Sequence, residues 1–264
     1  MKIVAPLAVL VALALPSTAS ATTCHPTPAH PEPVVLVHGT FGDSSNWAID
    51  APQLRAAGYC TFAIDYGVRG TQEIAHSAQQ LKTFVDDVLA RTGASKVDII
   101  GHSQGGMMPR YYIKNLGGAA KVDDLVGFAP SNHGTTTPLA PYAVGCPACM
   151  EQAWGSPFIT ALNAGDETPG DVSYTVVETR YDEVVTPYTS AFLSGANTTN
   201  VLLQDKCPAD ISEHLAIVGD PIALQWALNA LSHPGPAPSA WPCAPPRPRS
   251  RARTAAWPPT PARC

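Results

Sequence analysis

Beyond its first 21 residues the chain has no apolar run long enough to cross a bilayer, which excludes a later membrane-spanning helix. It has no second Cys/His cluster at ligand spacing to partner Cys146-Pro-Ala-Cys149. A zinc or redox reading of that motif therefore lacks partners, and a local loop staple is expected instead. There is no internal repeat, which argues against a solenoid or propeller. Basic charge is also short where a nucleic acid would need it. The formal net charge is −5, but Lys2, Arg247, Arg249, Arg251, Arg253 and Arg263 sit at the two ends; without those six, residues 22–243 stand at −11. So acidic a span excludes nucleic acid as a partner and suits a soluble, self-repelling surface.

The two ends differ from the middle. Lys2 is the only charge before an apolar stretch from Ile3 to Leu15, and Ala19-Ser20-Ala21 is a small-x-small cleavage site. Residues 1–21 read as a signal peptide cut before Thr22, so the product is expected to be secreted and extracellular. The seven cysteines are then expected to form disulfides, with the pairing left open by spacing alone. From about Ser232 the chain is Pro, Ala, Ser and Arg with almost no aliphatic residue. Such a segment buries too little apolar surface to offset its ordering entropy. Residues 244–264, with the odd Cys264, are expected to be a disordered tail, leaving 22–243 as the folded domain.

Between these ends, strands and helices alternate. Strands are expected at 33–37, 60–66, 97–101, 124–128, 172–181 and 199–204, and helices at 47–57, 71–91, 106–116, 156–163 and 220–231. The clearest helix carries Ile74, Ala78, Leu81, Val85, Val88 and Leu89 on one face and ends at Gly93. Residues 136–156 read as irregular. This order predicts an α/β protein with a mostly parallel central sheet and helices on both faces.

The chemistry is concentrated in Gly101-His102-Ser103-Gln104-Gly105, which fits G-x-S-x-G between a strand and a helix. In that context the serine is held at the tip of a strained turn with its hydroxyl outward. Gly101 and Gly105 are needed because a side chain there would strike the neighbouring helix or strand. A serine hydroxyl needs a base, and the base a carboxylate. The chain offers both in the order Ser, Asp, His. Asp182 follows the strand ending near Tyr181, with Glu183 as rival; Glu178 lies inside that strand, and Asp166 and Asp171 precede it. His214 follows the last strand, whereas His233 lies at the start of the Pro-rich segment. Backbone N–H donors for an oxyanion are expected at Gln104 and Thr40, with Phe41 next. His38 is expected to shape its loop by hydrogen bonding, and His102 to pack or hydrogen-bond locally. Phe41, Met107, Met108, His133 and residues 136–156 are pocket candidates; core packing is the alternative for each Met and aromatic, the plainer role for Met108, and a structural role is the plainer one for His133.

Several segments together resemble one family. Val34-Val35-Leu36-Val37-His38-Gly39-Thr40, Gly101 to Pro109, Asn132-His133-Gly134-Thr135, Tyr181 to Pro187 and Ser212-Glu213-His214 are similar to the secreted actinobacterial lipases of class 2. These are α/β-hydrolases related to small bacillus lipases. The resemblance covers about residues 24–243. It implies the α/β-hydrolase fold, triacylglycerol lipase or esterase activity, and Ser103, Asp182 and His214 as the triad. It also implies disulfides Cys24–Cys60, Cys146–Cys149 and Cys207–Cys243. The expected enzyme needs no metal or organic cofactor, takes an acyl-ester lipid, touches a lipid–water interface transiently and is a monomer. The alternatives are a short-chain carboxylesterase or polyester hydrolase, and an inactive hydrolase fold used for binding. The chain departs from the family pattern in a short 137–155 segment and in the Arg/Pro tail.

Overall fold

Segments of four to seven residues, rich in Val, Ile, Thr and aromatic residues, build six strands: β1 (Val34–Val37), β2 (Thr61–Ile64), β3 (Val97–His102), β4 (Val122–Phe128), β5 (Ser173–Glu178) and β6 (Thr198–Leu202). They pair in parallel in the order β2-β1-β3-β4-β5-β6. The structure, a computed structural model, describes residues 24–138 and 144–239. The expected signal peptide, the tail 244–264, Cys243 and Cys264 lie outside those residues.

Eight helices accompany the sheet among the described residues: α1 (Asp50–Ala56), α2 (Gly67–Gly70), α3 (Ile74–Thr92), α4 (Gln104–Asn115), α5 (Pro147–Glu151), α6 (Pro157–Asn163), α7 (Leu203–Lys206) and α8 (Pro221–Leu231). Strands such as β1 and β3 are buried at every position because both faces of the sheet are covered. Val35, Val37, Ile99 and Val176 point to one core, shared with Leu81 and Val85 of α3 and Met107 and Tyr112 of α4. Val34, Leu36, Ile100 and Phe128 point to the other, filled by Trp47, Leu54 of α1 and Trp226 of α8. The expected face of α3 is the buried one: Ile74, Ala78, Leu81, Val85 and Val88 are all inaccessible. Each large aliphatic there contributes about 1.5–3 kcal/mol, so packing rather than propensity holds the helix. Gly93 ends it in the left-handed region at φ 74°, its N–H bonded to Leu89.

Most element ends differ from the sequence-based expectation by one to three residues, and four differences bear on the site. β5 ends at Glu178, leaving Thr179–Tyr181 in the following loop. β6 ends at Leu202, and Leu203–Lys206 turns helical. The elbow helix begins at Gln104 rather than Gly106. The segment read as irregular contains α5, which starts at Pro147 and is closed by Cys146–Cys149. Cys24–Cys60 ties the segment ahead of β1 to the residue that precedes β2, with Cα atoms 5.6 Å apart. Cys207 is disulfide-bonded, while its expected partner, Cys243, falls outside the described residues.

Candidate active site

The turn between β3 and α4 holds Ser103 at φ 55° and ψ −123°. This conformation is costly for any residue with a side chain and persists only where the surroundings enforce it. The enforcement is steric and local. A Cβ on Gly101 would lie 1.8 Å from the carbonyl oxygen of Gly105; one on Gly105 would lie 2.2 Å from that of Val37. Gly39 faces the same crowding, since its Cβ would meet Ser103 Cβ at 3.1 Å. β1, β3 and α4 can approach this closely only with glycine at those positions.

Asp182, four residues beyond β5, and His214, in the loop after α7, meet beside this turn. His214 Nδ1 lies 2.7 Å from Asp182 Oδ2, while Asp182 Oδ1 accepts the N–H groups of Val184 at 2.8 Å and Val185 at 2.7 Å. The carboxylate is thus aimed at the ring from a rigid loop. Both residues are buried, His214 to 2% exposure and Asp182 to 7%. Glu183 takes a different contact: its Oε2 accepts the backbone N–H of His214 at 3.4 Å. His233 lies away from this pair and contacts the carbonyl of Asn229 at 2.8 Å. The two loops are also stitched together by Thr179, whose hydroxyl donates to Ser212 O at 2.6 Å and accepts Gln204 Nε2 at 2.8 Å.

His102 connects this pair to the serine turn. Its Nε2 lies 2.8 Å from the carbonyl oxygen of His214. A carbonyl only accepts, so the proton resides on Nε2. Burial, and secondarily the neighbouring His214, pushes the His102 pKa down to about 3, so the ring is neutral. This contact is long-range, not the local one expected from sequence. The last link, between Ser103 Oγ and the His214 ring, is not a closed hydrogen bond among the described residues. Contacts of this kind tighten when substrate binds.

Two backbone N–H groups flank the serine. Those of Thr40 and Gln104 have no acceptor among the described residues, whereas Phe41 N donates to Arg69 O at 2.7 Å. Phe41, the runner-up, is thus committed elsewhere, and Arg69 Nε returns a bond to its carbonyl at 2.8 Å. The Thr40 and Gln104 side chains are bonded to each other, Oγ1 to Oε1, at 2.7 Å. Gln152, just after α5, donates from Nε2 to Thr40 Oγ1 at 3.0 Å and to Gln104 Oε1 at 3.1 Å. Its own Oε1 accepts Ser131 Oγ at 2.8 Å. Sequence reasoning did not single out Gln152. Its only sequence signal is adjacency to the Cys146–Cys149 staple.

The pocket candidates separate. Phe41 is 46% exposed beside Thr40. Met107 is fully buried in the core on the α3/α4 side, as is Met108. The expectation that Met107 lines the pocket is therefore not met by an open surface: its side chain leaves α4 toward the core. His133 is held by both ring nitrogens, Nδ1 at 3.0 Å from Ser190 O and Nε2 at 2.9 Å from Glu167. Below it, inaccessible Arg110 clamps the same loop, bonding Asn163 Oδ1 at 2.6 Å and Asn132 O at 3.2 Å. Burial lowers the Arg110 pKa to about 10, which leaves it charged. His38 stacks on Tyr66 at 4.3 Å and contacts Gly39 O at 2.8 Å, shaping the loop as expected.

Comparison with known proteins agrees with this geometry. Residues 31–227 match the family described as Lipase (class 2). A triacylglycerol lipase of Burkholderia plantarii is 34% identical over 121 residues, 41% of this chain and 32% of that protein. Lipase B of Pseudozyma antarctica is 30% identical over 168 residues, 60% of this chain and 48% of that one. The chain thus spans less than half the length of these relatives. The crystal structure of Aspergillus fumigatus lipase B superposes with a TM-score of 0.72 at 25% identity, covering 78% of this chain and 53% of the other. The sheet order and elbow are those of an α/β-hydrolase, and the chain belongs to the class 2 lipase family.

Proposed function

We propose that this protein is a secreted carboxylic-ester hydrolase, a triacylglycerol lipase working by acyl transfer through Ser103, His214 and Asp182. Ser103 Oγ attacks the ester carbonyl carbon while His214 Nε2 takes its proton. The N–H groups of Thr40 and Gln104 hold the oxyanion that forms. The intermediate collapses, the alcohol leaves with the proton from His214, and water then attacks the acyl-enzyme to release the acid. Asp182 keeps the imidazole in the tautomer that presents Nε2 and stabilises its charged form.

The observation that carries this reading is the 2.7 Å Asp182–His214 pair joined, through His102, to a serine at φ 55°. An interface-acting lipase is supported by the apolar surface. Phe41, Met150, Trp154, Tyr181, Ile211 and Leu215 are exposed, and each lies within three positions of Thr40, Gln152, Asp182 or His214. Such clustering favours transient contact with a lipid–water boundary. Export is supported by the leader-like start and two disulfides.

The test is a chain-length series of nitrophenyl esters with tributyrin and triolein emulsions, run beside fluorophosphonate labelling. A lipase hydrolyses the emulsions and long chains, and the probe labels Ser103. Activity confined to dissolved short esters means a carboxylesterase. Folded protein that neither hydrolyses nor labels ends the proposal. A mature N-terminus at Thr22 in culture medium tests export.

A further inference from the structure

Glu178 is the last residue of β5 and is completely inaccessible. Its Oε1 accepts the N–H of Thr179 at 2.7 Å, while its buried Oε2 has no partner. The turn that follows is closed by the Asp182 N–H donating to Thr179 O at 3.2 Å, which folds Asp182 back toward this buried carboxyl group. Among the described residues Asp182 is also the charged group acting on Glu178. Across the sheet its neighbour on β6 is Leu202, and the α7 side chain beside this turn is neutral Gln204. Two carboxyl groups in contact, away from water and without a cation, do not both ionise. Their hydrogen bonds decide which keeps the proton. Asp182 receives two backbone N–H groups and faces His214; Glu178 receives one N–H.

We infer that Glu178 is a positioning residue for this site: a neutral carboxylic acid, sealed at the end of β5, whose O–H donates to Asp182 and holds that carboxylate toward His214. A proton on Oε2 turns the one unpaired oxygen into a donor with an acceptor beside it. It also keeps a second negative charge out of the site. Burial and the charge of Asp182 both push the Glu178 pKa well above the usual carboxylate range. The effect on turnover rests on the triad reading above; the protonation state does not.

The experiment compares wild type, Glu178→Gln and Glu178→Leu. Glutamine offers the same acceptor to Thr179 and an N–H to Asp182, neutral for neutral. Its kcat/KM on a nitrophenyl ester should stay within about threefold of wild type, with the acid limb of the pH profile unmoved. Leucine removes the donor, and kcat should fall about tenfold or more with little change in KM. In infrared difference spectra at neutral pH, wild type minus Glu178→Gln should show the carbonyl band of a protonated carboxylic acid. An acid limb moved down by about one pH unit in Glu178→Gln would mean a charge had been removed, and would overturn the inference. So would a carboxylate band in place of the acid band, or wild-type kcat in Glu178→Leu. If Glu178→Leu does not fold, the other two readouts still decide. A wild type without esterase activity would remove the triad reading, while the infrared band would still decide the state of Glu178.

Discussion

Gln152 donates a hydrogen bond to the hydroxyl of Thr40 at 3.0 Å across 112 positions of chain, and the same nitrogen reaches Gln104. The two residues proposed to hold the oxyanion are thereby fixed by a third, carried on the segment that Cys146–Cys149 closes. Replacing Gln152 with Leu should lower kcat by about 10- to 100-fold, because donors to a transition-state charge act through their placement. KM should change little, and a circular-dichroism spectrum like that of wild type would show that the fold had not been lost.

Ser103→Ala should lower turnover by roughly 10⁶ and abolish fluorophosphonate labelling. Ser103→Gly separates chemistry from strain. At φ 55° and ψ −123° glycine relieves a cost of about 1–3 kcal/mol, so this inactive variant should melt a few degrees above wild type. Calorimetry showing an unchanged or lower melting temperature would contradict the claim that the turn is strained.

Gly101→Ala tests the steric basis of the elbow. Its Cβ would sit 1.8 Å from the Gly105 carbonyl oxygen, a backbone atom with nowhere to move between β3 and α4. The variant should fail to accumulate as soluble folded protein, whereas Gly93→Ala, with nothing within 4 Å, should fold and lose only a modest amount of stability through its left-handed φ. Soluble, active Gly101→Ala would refute the argument.

At the other end of the sheet, Asp124 is buried beside Asp98, and burial, then the charge of Asp123, raises its pKa to about 8. The folded state therefore prefers the protonated form. The associated stability is complete below the unfolded carboxylate pKa of about 4 and is lost as pH climbs toward 8. Asp124→Asn, neutral at every pH, should lose less stability than wild type between pH 5 and pH 9. Denaturant midpoints at several pH values check this; parallel curves would show that Asp124 is not the group responsible.

Much of the architecture was legible because its causes are local. The α3 face follows from apolar spacing, and the burial of β1 and β3 from stretches dominated by Val, Leu and Ile. The errors fall where tertiary contacts override local pattern. Thr179 and Tyr181 are β-prone, yet Thr179 leaves the sheet because its hydroxyl bonds Ser212 and Gln204. Leu203 and Gln204 extend a strand-like run, but Gln204 turns into α7 to serve that same loop. Met107 has the composition of a pocket residue, and only its direction from α4 assigns it to the core.

The chain by itself determined the nucleophile turn and the order of its partners, because the Gly101–Gly105 clash lies within five consecutive residues and the alternation of strand and helix is a local pattern. Only the tertiary structure decided that Asp182 rather than Glu183 meets the imidazole. The same is true of His102 holding the backbone of His214 and Gln152 bracing Thr40. The physical reason is distance along the chain. A hydrogen bond spanning up to 112 positions depends on sheet register and loop path, and no run of neighbouring residues encodes either.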